Sequence, residues 1–184
     1  VLDWNFSTEM PTHSVLPQKI TLLCSALILS LYDYACTSWY SALPKFYKNR
    51  LQTTQNKVAR FLLNLGPRSH IGANELQNAG LLSVENRVKQ LSLSITHKIY
   101  YNSCPPYLHQ NFIRTASIHN HCTRDSHLNF YVPLSKGQIQ NTFFVFLISC
   151  WNSLPTQIRS IGNTNRFKSR MKKYLFDQAV AIQM

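Results

Sequence analysis

Two sets of cations recur at spacings that gather them on one side of a helix: Arg50, Lys57 and Arg60, then Arg166, Arg170 and Lys173. At 100° per residue the first three lie within about 60–80° of one another, and the second three share an outer face in the same way. Guanidinium and ammonium groups in such rows hold phosphate oxygens, which gives sequence-independent, salt-sensitive affinity for a nucleic-acid backbone. A charge run is equally the ordinary solvated face of a surface helix, and that reading stands beside the first.

Other chemistry has little material. Nucleotide transfer, nuclease action and glycoside hydrolysis need carboxylates brought together for metal binding or acid–base work. The seven Asp and Glu are scattered, with no pair within four positions of one another. The glycine-rich phosphate loops and the G-x-S-x-G elbow are missing, and five glycines leave little for a phosphate cradle. His119, His121, Cys122 and His127 form one cluster of possible zinc ligands, but the spacing matches no established finger and no second ligand pair lies nearby. Solvated loop histidines are the plainer reading, and nothing orients a base for Cys122 as a nucleophile. No metal or cofactor is expected.

The charge balance favours an anionic partner. Nineteen Lys and Arg against seven Asp and Glu give a formal net charge of +12, and residues 34–74 hold six of the bases and no acid. Nucleic acid comes before a membrane surface as the default polyanion. The bland alternative is charge that only keeps the protein soluble. Five cysteines, an odd number without a C-x-x-C pair, read as a reduced intracellular protein, with nucleus or cytoplasm the expected place and neither selected. Residues 20–31 form an apolar run too short to span roughly 30 Å of hydrocarbon and without the flanks of a signal peptide, so a buried helix is expected and no membrane. A first residue of Val suggests a fragment or a processed piece.

The elements that must carry these residues are helical. Residues 43–65 place Tyr47, Leu51, Val58, Leu62 and Leu65 on an apolar stripe opposite Arg50, Lys57 and Arg60, with Gly66-Pro67 as the stop. Before them, residues 1–16 have no period and read as a loose leader. Pro17 opens a helix to about Tyr34, apolar nearly all round and therefore expected to be buried, antiparallel to the next. After residue 66 come a short helix at 75–78 stopped by Gly80, a longer one from a Ser83 cap to about Tyr101, and a short one near 107–113. A polar, His-rich loop follows at about 115–140, with an extended piece at 129–132. The dense apolar run 143–151 fits a helix or a strand. Asn163 or Thr164 caps a last helix, 166–179, with Phe167, Met171, Tyr174 and Leu175 inward.

Several stretches in order carry a likeness. Tyr32-Asp-Tyr34 through Trp39, Asn49-Arg-Leu-Gln-x-x-Gln55-Asn-Lys-x-Ala-Arg60, and Trp151-Asn-Ser-Leu-Pro155-x-x-Ile158-Arg159 with Phe167-Lys168 and Lys172-Lys-Tyr-Leu175 lead it. Between them fall Gly80-Leu-Leu-Ser-Val-Glu85-x-Arg87, Pro105-Pro-Tyr-Leu108 and Thr123-Arg124. Together, over about residues 17–175, these resemble the C-terminal part of reverse transcriptases of non-LTR (LINE-type, jockey-like) retrotransposons. The resemblance implies the segment after the polymerase palm: a helical thumb over roughly 17–65 and a C-terminal region beyond. The palm aspartates and the endonuclease would lie upstream. A thumb grips template and primer, so the likeness sets Arg50, Lys57 and Arg60 near nucleic-acid backbone. Residues 145–150 are more apolar than the family's usual lead into Trp-Asn-Ser-Leu-Pro, and the chain from Asp177 onward has no counterpart there.

The expectations are therefore a mostly α fold, with a thumb-like helical pair at 17–65 and an irregular, mainly helical region at 66–184. The chain is read as non-catalytic, binding RNA or DNA through Arg50, Lys57, Arg60, Arg166, Arg170 and Lys173. The alternatives are a module that packs against the palm domain of a full-length reverse transcriptase, with 143–151 as its greasy face, and an expressed remnant without function.

Overall fold

Ser83 begins the helix against which most of the longer elements pack. Its carbonyl accepts from the Arg87 N–H at 2.8 Å and its hydroxyl from the Asn86 N–H at 3.3 Å, capping a first turn whose donors have no partner inside the helix. That helix runs Val84–Asn102, and helices before and after it in the chain pack against it. The computed structural model describes residues 22–102, 105–118, 127–132 and 142–181. In chain order the helices are α1 (Ser30–Asp33), α2 (Cys36–Trp39), α3 (Lys45–Leu62), α4 (Ala73–Asn78), α5 (Val84–Asn102), α6 (Pro106–His109), α7 (Phe143–Asn152), α8 (Thr156–Arg159) and α9 (Thr164–Ala181). A π-helical turn, Ser25–Leu29, leads into α1. The fold is mostly α, and the one extended pairing among the described residues is the isolated antiparallel bridge between Arg114 and Phe130.

The apolar run at 143–151 resolves as helix α7. Leu147, Ile148, Cys150 and Trp151 are buried against α5 and α9, with Leu93, Ile99, Phe167, Met171 and Leu175 from those helices completing the main core. The second half of the run is thus a core element, while Phe143, Phe144, Val145 and Phe146 are half-buried. Asn163 is the cap of α9, its side-chain carbonyl accepting from the N–H groups of Asn165 and Arg166 at 3.1 and 3.0 Å.

Two glutamines tie α3 to the start of α5. Gln55 donates from Nε2 to the Leu82 carbonyl at 2.7 Å, and Gln52 accepts from the Val84 N–H through Oε1 at 2.9 Å. Each satisfies a backbone group that the turn before α5 would otherwise leave unpaired. The packed face of α3 is accordingly centred on Gln55, Val58 and Ala59, with Leu51 and Leu62 half-buried.

The structure departs from the sequence reading in this helix. Tyr47 and Leu65, expected in the stripe, are exposed. Tyr47 lies within about 20° of the buried Val58 around the helix but stands in the first turn, where it borders an open groove, and Leu65 lies beyond the last turn. Gly66-Pro67 is not the stop either. Asn64 takes the left-handed conformation at φ 51°, the Leu65 N–H reaches the Arg60 carbonyl at 2.9 Å, and the Asn64 N–H reaches that of Phe61 at 3.3 Å. Asn is the residue after Gly that best tolerates that conformation at a helix end.

The N-terminal helical segment also differs from expectation. Residues 17–21, with the leader 1–16, lie outside the described part; from residue 22 the segment is largely exposed, with Leu22 at 72% and Leu31 at 74%. An apolar run states that burial is favourable but supplies no partner, and among its described residues Cys24 alone is buried. The segment is fixed at its end by Asp33, whose carboxylate receives Arg87 of α5 from Nη2 at 2.6 Å and Nε at 3.0 Å. It leans on α5 rather than forming an antiparallel pair with α3.

By length and composition Leu22–Trp39 is apolar enough to cross a membrane, contrary to the shorter run read from sequence. Ala35, in the left-handed region at φ 46°, interrupts the helix within that stretch.

Candidate nucleic-acid interface

Helix α3 contains no acidic residue. Its outward side carries Arg50 and Lys57, both exposed, and the sequence places Thr53 between them. Arg60 is half-buried, its Nε donating to the Ser69 carbonyl at 2.8 Å, so this third cation also anchors the segment between α3 and α4. Arg50 lies over Phe46, Cζ to ring centroid 5.8 Å, and Phe46 meets the Tyr47 ring edge-on at 5.4 Å and 76°. On one flank, Tyr47, Arg50 and Thr54 border a shallow groove with Trp39, Leu43 and Leu51. On the other flank, Lys45, Lys48 and Lys89 border a groove that reaches α9 at Phe176. Lys48 there sits 5.0 Å over the Tyr40 ring.

Arg166, Arg170 and Lys173 do share one place. All three are exposed on α9 and line a groove with Gln157, Ile158, Tyr174 and Asp177. That groove lies on the α8 side of α9, whereas the groove bordered by α3 meets α9 at Phe176 and Ala179. The structure thus keeps the two sets of cations as separate patches, and Asp177 offsets part of the second.

Carboxylates are too few to neutralise this surface. Asp33, Glu75, Glu85 and Asp177 are the ones among the described residues. Asp33 is committed to Arg87, Glu85 pairs with Lys89 at 2.8 Å, and Glu75 accepts from the Gly72 N–H at 2.7 Å. Its own backbone N–H and that of Gly72 hold the Glu75 carboxyl below its ordinary range.

The thiols are built into the core. Burial pushes Cys150 up to about 11, and burial together with the nearby Asp33 charge raises Cys36. Both are poor nucleophiles there. Of the histidine and cysteine cluster, His119, His121 and Cys122 lie outside the described residues and His127 is exposed; among the described residues no group of three or more His, Cys, Asp or Glu side chains is placed to hold a metal ion.

Read from sequence, Tyr40, Phe46, Tyr47, Tyr100 and Tyr101 are the rings that could stack on bases, with core packing the equal alternative; the structure buries Tyr40, half-buries Tyr100 and Tyr101, and leaves Phe46 and Tyr47 exposed. What sequence reasoning missed on α3 is Phe61, exposed with Phe46 beside Arg50 and Lys57. The signal was present, since at 100° per residue Phe46, Arg50, Lys57 and Phe61 fall within about 60° of one another, but aromatic residues read more readily as core. Compared with known proteins, the chain matches no family model, no curated protein and no solved structure.

Proposed function

We propose that this chain is a non-catalytic nucleic-acid-binding module that grips the phosphate backbone of RNA or DNA, and that it corresponds to the post-palm part of a non-LTR retrotransposon reverse transcriptase. The observation that carries the binding is the outer face of α3, where Arg50 and Lys57 are exposed on a helix without a carboxylate. Cations so placed neutralise phosphates and release the counterions condensed on the nucleic acid. The retrotransposon assignment is supported by the ordered motifs alone.

The test is binding of the purified chain to a labelled RNA–DNA duplex and to a single strand across a salt series. Wild type should lose affinity steeply with salt, and Arg50→Ala/Lys57→Ala should lower the log–log slope by about two. Affinity indifferent to salt, or a slope unchanged by the double substitution, would remove the reading. Metal-dependent nucleotide incorporation by this chain would overturn its non-catalytic half.

A packing role has one observation in its favour. Leu22, Leu23, Leu27, Leu31 and Tyr34 present an exposed apolar face. Dimerisation or aggregation relieved by Leu27→Glu/Leu31→Glu, without salt-dependent nucleic-acid binding, would put this reading first.

A further inference from the structure

The rings on α3 bear on which nucleic acid the face takes. Phe46 is 64% exposed, Phe61 68% and Tyr47 50%, and the residues separating them on that face are Arg50, Thr53, Thr54 and Lys57. At 1.5 Å per residue the track from Phe46 to Phe61 is about 22 Å long, with Arg50 about 6 Å from the first ring and Lys57 about 6 Å from the last. Two rings at one end and one at the other therefore flank the two cations, with Phe46, Arg50, Lys57 and Phe61 within about 60° of one another and Tyr47 on the edge of that face. Resting on the backbone-binding reading above, we propose that this face is a stacking platform for single-stranded nucleic acid, with Phe46, Tyr47 and Phe61 taking unpaired bases and Arg50 and Lys57 the phosphates between them.

Three observations favour that occupant. In a duplex the base faces are already stacked inside the helix, so exposed rings beside it would meet only sugar and phosphate. A single strand presents its π-faces, and aromatic rings interleaved with basic residues are how such strands are held without sequence preference. An apolar protein partner would want aliphatic neighbours around the rings; Tyr47 has them in Leu43 and Leu51, but the positions between Phe46 and Phe61 on the outer face are cationic or hydroxylated. The absence of any acid on α3 gives the complementary charge for a polyanion. The rings also have room to work. Arg50 sits near the outer limit of cation–π distance from Phe46, about 6 Å, so a base reaching that ring displaces little.

The experiment is fluorescence anisotropy with the full chain, using labelled twelve-nucleotide oligo-dT and oligo-U and a blunt duplex of the same length, at several salt concentrations. Single strands should bind more tightly than the duplex. Phe46→Ala/Tyr47→Ala/Phe61→Ala should weaken single-strand binding at least about tenfold, leave duplex binding and the salt slope as they are, and keep the helical circular dichroism. The leucine triple, which keeps apolar bulk without a flat ring, should not restore affinity. If the alanine triple loses helicity, Phe61→Ala alone decides, with a loss of about fivefold or more expected.

Duplex binding as tight as single-strand binding, an aromatic triple that binds as wild type, or rescue by leucine would overturn the stacking platform. In those cases a salt slope that still falls in Arg50→Ala/Lys57→Ala leaves backbone binding intact. Binding without any salt dependence would overturn both.

Discussion

The side-chain amide of Asn152 pairs with both backbone groups of Phe130: the Phe130 N–H donates to Oδ1 at 2.9 Å and Nδ2 donates to the Phe130 carbonyl at 2.8 Å. One asparagine at the end of α7 thus takes the place of a neighbouring strand. On the other edge of the same segment, the Thr115 N–H reaches the Asn129 carbonyl at 3.0 Å and the Tyr131 N–H reaches that of Ile113 at 2.8 Å. The preceding residue serves the same segment, Trp151 Nε1 donating to the Leu128 carbonyl at 3.1 Å. Arg159 also reaches it, donating to the Asn129 side chain, and Tyr101 holds the Arg159 carbonyl at 2.8 Å. The Trp-Asn-Ser-Leu-Pro stretch is therefore a clamp that closes residues 128–130 over the main core.

Removing that clamp leaves two buried backbone groups without partners. Asn152→Ala should cost about 2–4 kcal/mol, because each unsatisfied donor or acceptor at a buried position costs on the order of 1–3 kcal/mol. Asn152→Asp should lose part of that, since a carboxylate accepts from the N–H but cannot donate to the carbonyl. Urea unfolding followed by circular dichroism measures both. A loss under about 0.5 kcal/mol for the alanine variant would show that the segment finds other partners.

The buried thiols make a chemical prediction. Cys150, pushed up to about 11 by burial, and Cys36, raised by burial and by Asp33, should stay protonated and shielded at pH 8. Alkylation of the native chain followed by peptide mapping should leave both unmodified over times in which the urea-unfolded chain reacts fully. Rapid labelling of Cys150 in the native chain would contradict its place on the core face of α7.

How much of this could be read beforehand differs by element. Caps and stops were legible where a side chain acts on its own helix: Ser83, Asn163 and Gly80 each sit where their chemistry places them. Helix α9 was legible too, since Phe167, Met171 and Leu175 keep one period and are all buried. What was not legible depends on residues far apart in sequence. Gln52 and Gln55 look like surface polar residues until Leu82 and Val84 are brought to them. Tyr47 has the right spacing for the core but stands in the first turn of α3, bordering an open groove. The cations on α3 and α9 were each legible as a row, but whether the two rows meet is a tertiary fact, and they line separate grooves.

Gly80 tests a local requirement. It follows α4 at φ 71°, and a Cβ placed there would meet nothing within 4 Å. The cost of Gly80→Ala should therefore be backbone strain alone, about 1–2 kcal/mol, with Gly80→Asn smaller because Asn tolerates the left-handed region. A neutral alanine variant in thermal unfolding would mean that the turn relaxes.

His97 sets a pH dependence. Its ring is buried between Phe167, with centroids 4.3 Å apart, and Tyr101 at 4.6 Å; Nε2 donates to the Ile161 carbonyl at 2.7 Å, and Nδ1 has no hydrogen-bond partner. Burial lowers its pKa below the ordinary 6.5, the Ile161 carbonyl opposes this in part, and Lys168 adds to it. Above pH 6.5 both folded and unfolded chains hold the ring neutral, and His97 contributes no pH dependence. As pH falls through 6.5 the unfolded chain takes up a proton that the folded chain declines, so stability falls, by at most about 1.4 kcal/mol per pH unit. The loss levels off once pH passes below the folded value. Urea midpoints between pH 7.5 and 4.5 should therefore drop more steeply for wild type than for His97→Gln, even if the variant is less stable throughout. Parallel curves for the two would show that the buried imidazole keeps its ordinary affinity for protons, and that the aromatic sandwich around it admits the charge.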